Sequence, residues 1–444
     1  MPPAQPRLDP SERSQRIVIV PDIPLCQSDL PLDWYQQAFR PYAEEYLALP
    51  DRKPETVLPW MDHYIQPALA QFGDDLMLLA HYYMGGEIVK LVERYGGQVA
   101  DSYQLARQAV LHPERKIFVE SAVHFMAEAI ALLASPDQQV YITNPKSGCT
   151  MEMMAKEFMV RPAFEKLRER YGDDVLVVAY MNTSGRVKAL AGETGGAVCT
   201  SSNAAAIMRW ALAQGRRIFF VPDEHLGRNV AAQVGIPPER TALLAGGHEG
   251  GDLSPERLAE LDSAQLILWG SFCGVHTIFS PAQVEYWRER DYTVLVHPET
   301  PRETVAVADG AGSTSYLWTR VLGAEEGSRF AVGTEGHFVR NLREQAALRG
   351  VTVEHLADVP GVDEAGCGCA TMSRNDPPHL VALLDLLRRG AVPDLNRVLP
   401  GDVVDEVTGH RERLDADGQA AIARHARAAL ERMIEITESD SPSG

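Results

Sequence analysis

The chain has 444 residues, of which 45% are hydrophobic and 23% charged, and its formal net charge is −19. This composition is typical of a globular protein with about two to four domains. The negative charge argues against a nucleic-acid or anionic membrane surface. No apolar run approaches the ~18 residues of a membrane helix, and the N-terminus lacks a signal peptide, so we expect a cytoplasmic protein. Its six cysteines do not suggest a disulfide framework.

Residues 1–65 are rich in proline and charge, and we predict that they form an N-terminal extension with short helices around residues 34–48. From residue 66 a pattern of strands and helices recurs three times, in residues 66–150, 151–275 and 276–372. Strands are predicted at residues 76–80, 116–119 and 140–142 in the first copy, 175–179, 217–221 and 266–268 in the second, and 292–296, 329–332 and 351–356 in the third. Residues 373–444 are predicted to add two or three helices and a tail.

This repeat predicts an α/β fold of three similar α/β/α domains, each with a parallel sheet of four short strands covered on both faces. Sites in such sheets lie beyond the carboxyl ends of the strands. Polar signatures follow those ends in every copy, and the last strand of each copy leads to a cysteine: Cys149, Cys273 or Cys369. We expect the copies to surround a pseudo-threefold axis and to bring these thiols together. The alternative is a chance similarity among unrelated α/β elements.

Three thiols from three pieces of chain suit a soft metal centre. A structural zinc site usually has four ligands and a Cys-x-x-Cys knuckle, which is absent, whereas three cysteines suit a [4Fe-4S] cluster with one open iron. Such an iron is a Lewis acid. This pattern favours a cluster-dependent lyase or dehydratase, and scattered structural thiols are the alternative.

Several short motifs, in this order, resemble one family. They are Ala80-His81-Tyr82-Tyr83, Ala100-Asp101-Ser102, Val123-His124-Phe125-Met126-Ala127-Glu128, Ser147-Gly148-Cys149, Tyr180-Met181-Asn182-Thr183-Ser184, Cys199-Thr200-Ser201-Ser202-Asn203, Pro222-Asp223-Glu224-His225, Cys273-Gly274-Val275-His276, His297-Pro298-Glu299, Gly312-Ser313-Thr314, Gly333-Thr334-Glu335 and Cys369-Ala370-Thr371-Met372. Over about residues 75–372 the chain resembles the quinolinate synthase A family, in its longer branch.

The resemblance implies condensation of iminoaspartate with dihydroxyacetone phosphate to give quinolinate, phosphate and water in NAD biosynthesis. It implies a [4Fe-4S] cluster held by Cys149, Cys273 and Cys369. It also implies small-molecule substrates, functional coupling to the enzyme that makes iminoaspartate, and no nucleic-acid or membrane partner. A non-catalytic iron–sulfur sensor or redox protein on the same scaffold is the rival interpretation.

The resemblance and the chemistry of the side chains together assign the remaining roles. Tyr83, His81 and Glu299 are predicted to be catalytic. The predicted substrate-binding residues are His81, Ser102, Tyr180, Met181, Asn182, Ser201, His276, His297, Pro298, Glu299 and Thr314.

Other residues are expected to have no place in the site. His124, His225 and His337 are predicted to be structural, and Cys199 is not expected to bind metal. Residues 246–251, Gly-Gly-His-Glu-Gly-Gly, are interpreted as a surface loop rather than a phosphate loop. Cys367 competes with Cys369, and the family's Cys-x-x-Met pattern selects Cys369.

Overall fold

The computed structural model describes residues 30–245, 254–360 and 368–440. Cys26, residues 246–251 and Cys367 lie outside these ranges. Within the described residues, no helix combines the length and the hydropathy needed to cross a bilayer.

Three parallel sheets form the body of the protein. The first contains β1 (Leu76–His81), β2 (Gln98–Ala100), β3 (Ile117–Ser121) and β4 (Gln139–Ile142) in the order β2-β1-β3-β4. The second contains β5 (Val175–Tyr180), β6 (Ala197–Cys199), β7 (Arg217–Val221), β8 (Thr241–Ala245) and β9 (Leu266–Gly270) in the order β6-β5-β7-β9-β8. The third contains β10 (Thr293–Val296), β11 (Gly310–Ala311), β12 (Arg329–Gly333) and β13 (Thr352–His355) in the order β11-β10-β12-β13.

Helices alternate with these strands along the chain. Their bounds are α1 (Arg40–Leu47), α2 (Pro54–Phe72), α3 (Gly86–Arg94), α4 (Ser102–Ala106), α5 (Gln108–Leu111), α6 (His124–Leu133), α7 (Thr150–Met153), α8 (Glu157–Tyr171), α9 (Gly185–Glu193), α10 (Ala204–Ala213), α11 (Glu224–Val234), α12 (Pro255–Ser263), α13 (Pro281–Arg288), α14 (Arg302–Val305), α15 (Thr314–Leu322), α16 (Gly336–Ala347), α17 (Pro377–Arg388) and α18 (Ala416–Asp440). A small antiparallel hairpin, β14 (Val403–Val404) and β15 (Arg411–Glu412), lies between α17 and α18. Short 3₁₀ turns occur at Leu32–Trp34, Gly73–Asp75, Gly172–Asp174, Pro238–Arg240, Met372–Arg374 and Asp394–Asn396.

The predicted α/β class is confirmed, and the reason is visible in the strands. All six residues of β1 and all six of β5 are buried, as expected for parallel strands covered on both faces.

The three sheets share one strand order apart from β8, which the segment after His225 adds at the edge of the second sheet beyond β9. The second copy therefore has five strands rather than the four predicted. The pseudo-threefold arrangement and the domain boundaries remain predictions, and the predicted boundary at residue 65 falls inside α2.

One large hydrophobic core joins the first two sheets to the terminal segments. It contains residues of α1, α2, α17 and α18 together with β1, β5, β7 and β9, whereas the third sheet packs against two smaller clusters. Tyr83 packs against both the large core and a cluster of the third sheet. The hydroxyl of Tyr42 in α1 donates to Asp385 Oδ2 in α17 at 2.5 Å, which ties the N-terminal segment to the C-terminal one.

Candidate active site

The polar ends of the three sheets meet in one cavity, which encloses about 610 Å³ of space including its open mouth. The predicted site residues that line it are His81, Tyr83, Ser102, Cys149, Tyr180, Asn182, Ser201, Cys273, His276, His297, Glu299, Thr314 and Cys369. Two predicted substrate residues, Met181 and Pro298, are not among the lining residues.

The three cysteines reach the cavity from equivalent positions. Cys149 follows β4, Cys273 follows β9, and Cys369 lies beyond β13. Burial raises the pKa of all three thiols, and Cys369 further raises the pKa of Cys149 and Cys273 because it lies near both. Thiols buried in this way ionise only when a cation binds to them. The three cysteines therefore suit a metal centre better than free thiolates.

Two acidic residues fix the cysteine loops in the second and third copies. The carboxylate of Asp223 caps α11 by accepting from Leu226 N at 2.6 Å, and it also accepts from Cys273 N at 3.2 Å. Glu335 repeats this arrangement, because it accepts from Phe338 N at 3.0 Å and from Cys369 N at 2.9 Å. Neither residue has a predicted role, although each stands two residues before a predicted structural histidine, His225 or His337.

His276 and Glu299 add harder ligands beside Cys273. One ligand atom from each of Cys273, His276 and Glu299 lies within 4.8 Å of the others. The other two thiols also have polar neighbours, because Cys369 Sγ lies 3.2 Å from Thr371 Oγ1, and Asn182 Nδ2 lies 3.9 Å from Cys149 Sγ. The cavity therefore combines three soft thiols with polar groups able to contact a substrate.

A chain of hydrogen bonds links five side chains from all three sheets. The Tyr83 hydroxyl lies 3.0 Å from Thr334 Oγ1, which lies 3.1 Å from His276 Nε2. His276 Nδ1 lies 2.9 Å from Glu299 Oε2, and the Tyr180 hydroxyl donates to Glu299 Oε1. Thr334 lies in the Gly333-Thr334-Glu335 motif but has no predicted role, because its position between Tyr83 and His276 is visible only in three dimensions.

The ionisation of this chain is set by burial and by neighbouring charge. Burial raises the pKa of Tyr83 and Tyr180 well above the usual value, and Glu299 raises both further. Burial alone would raise the pKa of Glu299, but His297, His276 and the Tyr180 hydrogen bond lower it to about 2. The site at neutral pH therefore holds an ionised carboxylate facing two protonated phenols.

His81 and His297 both line the cavity and accept a backbone hydrogen bond at the same ring nitrogen. His81 Nδ1 accepts from Tyr83 N at 3.2 Å, and His297 Nδ1 accepts from Glu299 N at 3.4 Å. Because Nδ1 accepts in both, Nε2 carries the ring proton in the neutral form and is available as a donor. Burial lowers the pKa of His81 to about 4 and that of His297 to about 3, so both rings stay neutral at physiological pH.

Three hydroxyls lie at equivalent places around the cavity. Ser102 is the first residue of α4, Thr314 is the first residue of α15, and Ser201 lies in the turn that precedes α10. Asp101, the cap of α4, accepts from the Ser315 hydroxyl at 2.7 Å and so joins the first and third copies beside two of these hydroxyls. Among the described residues that line the cavity, none is a lysine or an arginine.

A buried cation lies behind the cavity wall. The side chain of Lys188 is fully buried, and its Nζ donates to the carbonyl of Met181 at 2.8 Å and to that of Thr183. Burial lowers the pKa of Lys188 to about 8, although Glu128 favours its charged form. Lys188 thus holds the two carbonyls on either side of Asn182, whose side chain faces the cavity. Met181 contributes its backbone to this loop, and its side chain belongs to the large hydrophobic core rather than to the cavity lining.

The three predicted structural histidines lie outside the cavity lining. His124 is the buried first residue of α6, and His337 is buried with its Nδ1 2.7 Å from Glu335 Oε1. His225 is half-buried near the exposed ring of Phe272. Cys199 is fully buried at the end of β6 and does not line the cavity.

The fold and the cavity together define an α/β enzyme whose site gathers thiols, imidazoles and a carboxylate at the ends of three sheets. A family model described as "NadA: Quinolinate synthetase A protein" matches residues 65–435. The chain belongs to the quinolinate synthetase A family.

Similar proteins cover most of the chain. The quinolinate synthase of Corynebacterium glutamicum is 36% identical over 375 residues, which are 84% of this chain and 86% of that protein. The quinolinate synthase of Streptomyces coelicolor is 37% identical over 362 residues, or 81% of this chain and 88% of that protein. That of Staphylococcus carnosus is 32% identical over 403 residues, or 90% of this chain and all of that protein.

Proposed function

We propose that the protein condenses iminoaspartate with dihydroxyacetone phosphate to give quinolinate, phosphate and water in NAD biosynthesis. The observation that carries this proposal is the single cavity in which Cys149, Cys273 and Cys369 meet the hydrogen-bonded chain from Tyr83 to Glu299. The family membership supports the same reaction.

The three cysteines would hold a [4Fe-4S] cluster. Their thiols come from three strand ends, and burial disfavours their charge unless a cation binds. When bound by three cysteines, such a cluster supplies an iron with an open coordination position, which acts as a Lewis acid on a carboxylate or hydroxyl oxygen.

The hydrogen-bonded chain moves protons to and from the substrate. Of the five side chains in the hydrogen-bonded chain, Tyr83 is the one that is not fully buried. It also lines the cavity, so its hydroxyl can reach a bound molecule. When Tyr83 takes a proton from the substrate, its own proton passes to Thr334 Oγ1 and Thr334 releases its proton to His276 Nε2. The ionised Glu299 stabilises the resulting imidazolium through Nδ1, and the reverse sequence returns the proton to the substrate. The condensation needs such transfers, because both an enolisation and the loss of water require protons to be taken up and released.

Neutral donors hold the substrate anions. The hydroxyls of Ser102, Ser201 and Thr314 and the Nε2–H groups of His81 and His297 line the cavity, and hydrogen bonds from such donors to carboxylates are charge-assisted. Because α4 has only five residues, its dipole adds little and the Ser102 hydroxyl must supply most of the interaction there. A cavity lined in this way suits a small dicarboxylate.

An anaerobic assay tests the proposal. Protein purified without oxygen and loaded with iron is incubated with dihydroxyacetone phosphate and with iminoaspartate formed from oxaloacetate and ammonia. We expect quinolinate to appear only when both substrates are present. Iron-loaded protein that forms no quinolinate under these conditions would overturn the proposed function.

A further inference from the structure

The last helix, α18, lies across the first and second sheets. Arg427 donates to the carbonyl of Leu132 at 2.8 Å at the end of α6, and Ala429 and Leu430 are buried in the large core. In α9, Gly192 approaches α18 so closely that a Cβ there would lie 1.9 Å from the carbonyl oxygen of His425. This helix is therefore fixed to the body of the protein.

The last turn of α18 contacts the segments that carry two of the cavity hydroxyls. Thr437 Oγ1 accepts from Asn203 Nδ2 at 2.9 Å. Asn203 is buried, and its Oδ1 accepts from Thr200 N at 2.7 Å, so Asn203 closes the turn in which Ser201 lies. Thr437 is thus two hydrogen bonds away from the backbone next to Ser201.

The same turn of α18 also contacts α4, which begins with Ser102. Glu438 Oε1 accepts from the Arg107 guanidinium at 2.6 Å, and that guanidinium lies over the ring of Tyr103 at 5.2 Å. The Tyr103 phenol is close enough to Thr437 and Glu438 for both to affect its pKa, which burial raises. A helix of five residues is not stable by itself, so its packing against α18 determines the position of Ser102.

We propose that Thr437 is a positioning residue for substrate binding, through which α18 sets the places of the Ser201 and Ser102 hydroxyls. This inference rests on the proposed function, in which these hydroxyls hold a carboxylate. Hydroxyl donors without a lysine or arginine beside them depend on correct distances, since O–H···O bonds span only about 2.5–3.0 Å. Of the two α18 residues that contact these segments, Thr437 is the one to test. Glu438 is half-exposed, and an exposed ion pair such as the one with Arg107 contributes little to stability.

The proposed role predicts an effect on KM rather than on kcat. Thr437 contacts the turn that carries the Ser201 hydroxyl, whereas the proton-transfer chain from Tyr83 to Glu299 has no contact with α18 among the hydrogen bonds of the described residues. The change is Thr437→Val, which keeps the size of the side chain and removes the acceptor for Asn203. Loss of one such hydrogen bond corresponds to a rise in KM for iminoaspartate of about 3- to 10-fold.

Three variants and two measurements form the experiment. Thr437→Val is compared with Thr437→Ser, which keeps the hydroxyl, and with Asp440→Asn, which removes the charge of an exposed ion pair with Arg209 in the same turn of α18. The measurements are steady-state kinetics and amide hydrogen exchange of residues 200–203. We expect only Thr437→Val to raise KM and to speed exchange in that turn, while kcat stays at the wild-type value.

The outcomes separate the two proposals. An unchanged KM in Thr437→Val would overturn the positioning role, whether or not exchange becomes faster, and so would an equal rise of KM in Asp440→Asn. A wild-type protein that makes no quinolinate would refute the proposed function instead. The link between Thr437 and the Ser201 turn would then be tested by hydrogen exchange and by calorimetric binding of malate, a stable dicarboxylate with the same number of carbon atoms.

Discussion

Replacing Thr334 by valine tests the hydrogen-bonded chain at its centre. Thr334 is fully buried, and its hydroxyl lies 3.0 Å from the Tyr83 hydroxyl and 3.1 Å from His276 Nε2. Valine has nearly the same shape, so the change removes the bridge between the two groups and leaves the cavity otherwise filled. If the chain carries protons, kcat should fall by about 100-fold or more, since acid–base groups contribute about 10²–10⁴.

The same change should lower stability by an amount that leaves the protein folded. Tyr83 and His276 lose a partner in a buried place, which costs about 1–3 kcal/mol in the free energy of unfolding. The backbone carbonyl of Thr334 still accepts from His355 Nε2 at 2.8 Å, so the loop after β12 keeps its main-chain contact. Iron content should therefore remain at the wild-type level while activity is lost.

The assay is quinolinate formation by anaerobic, iron-loaded protein, with KM and kcat determined separately. Thr334→Ser is the matched control, because it restores the hydroxyl and removes only a methyl group, and it should recover most of the lost kcat. A Thr334→Val enzyme with wild-type kcat and full iron would show that protons do not pass through this residue.

Three further predictions concern other parts of the molecule. Tyr83→Phe should keep its iron and lose about 100-fold or more in kcat, because only the hydroxyl that faces the substrate is removed; an unchanged kcat would reject its role. Cys369→Ser should lose iron and activity, whereas Cys367→Ser should keep both; the reverse result would show that Cys367 is the ligand. Burial lowers the pKa of His124 to about 4, against about 6.5 in the unfolded chain. The unfolded chain therefore takes up a proton first as the pH falls, so the free energy of unfolding is unaffected by His124 above pH 6.5 and decreases as the pH drops toward 4. Between pH 6.5 and pH 4, the free energy of unfolding measured in urea should fall by about 3 kcal/mol more for the wild type than for His124→Gln. Equal losses would contradict the assigned pKa.

The elements that surround the site could be predicted because they depend on local pattern. The strand at residues 217–221 was predicted with the bounds of β7, and the prediction for β1 ended one residue before His81. Buried apolar runs followed by polar residues identify the carboxyl ends of parallel strands, and those ends meet at one edge of each sheet. That is why Tyr180 and Glu299, far apart in sequence, were both assigned to the same site.

Other parts of the site depend on contacts that no local pattern shows. Lysine on a helix is usually exposed, so nothing in the sequence marks Lys188 as buried beneath the Met181 and Thr183 carbonyls. Thr437 lies 234 residues from its partner Asn203. By contrast, Asp223 and Glu335 can be found from the sequence, because a comparison of the repeats shows an acidic residue at the same position in two of them.

The most direct test of the account is the metal content of cysteine variants purified without oxygen. Wild-type protein should contain about four irons and four sulfides per chain. Cys149→Ser, Cys273→Ser and Cys369→Ser should each lose the metal, because all three thiols line one cavity. Cys199→Ala, at a buried cysteine outside the cavity, should keep it. Full iron in any of the three serine variants, or stoichiometric zinc without iron in the wild-type protein, would contradict a single cluster assembled from the ends of three sheets.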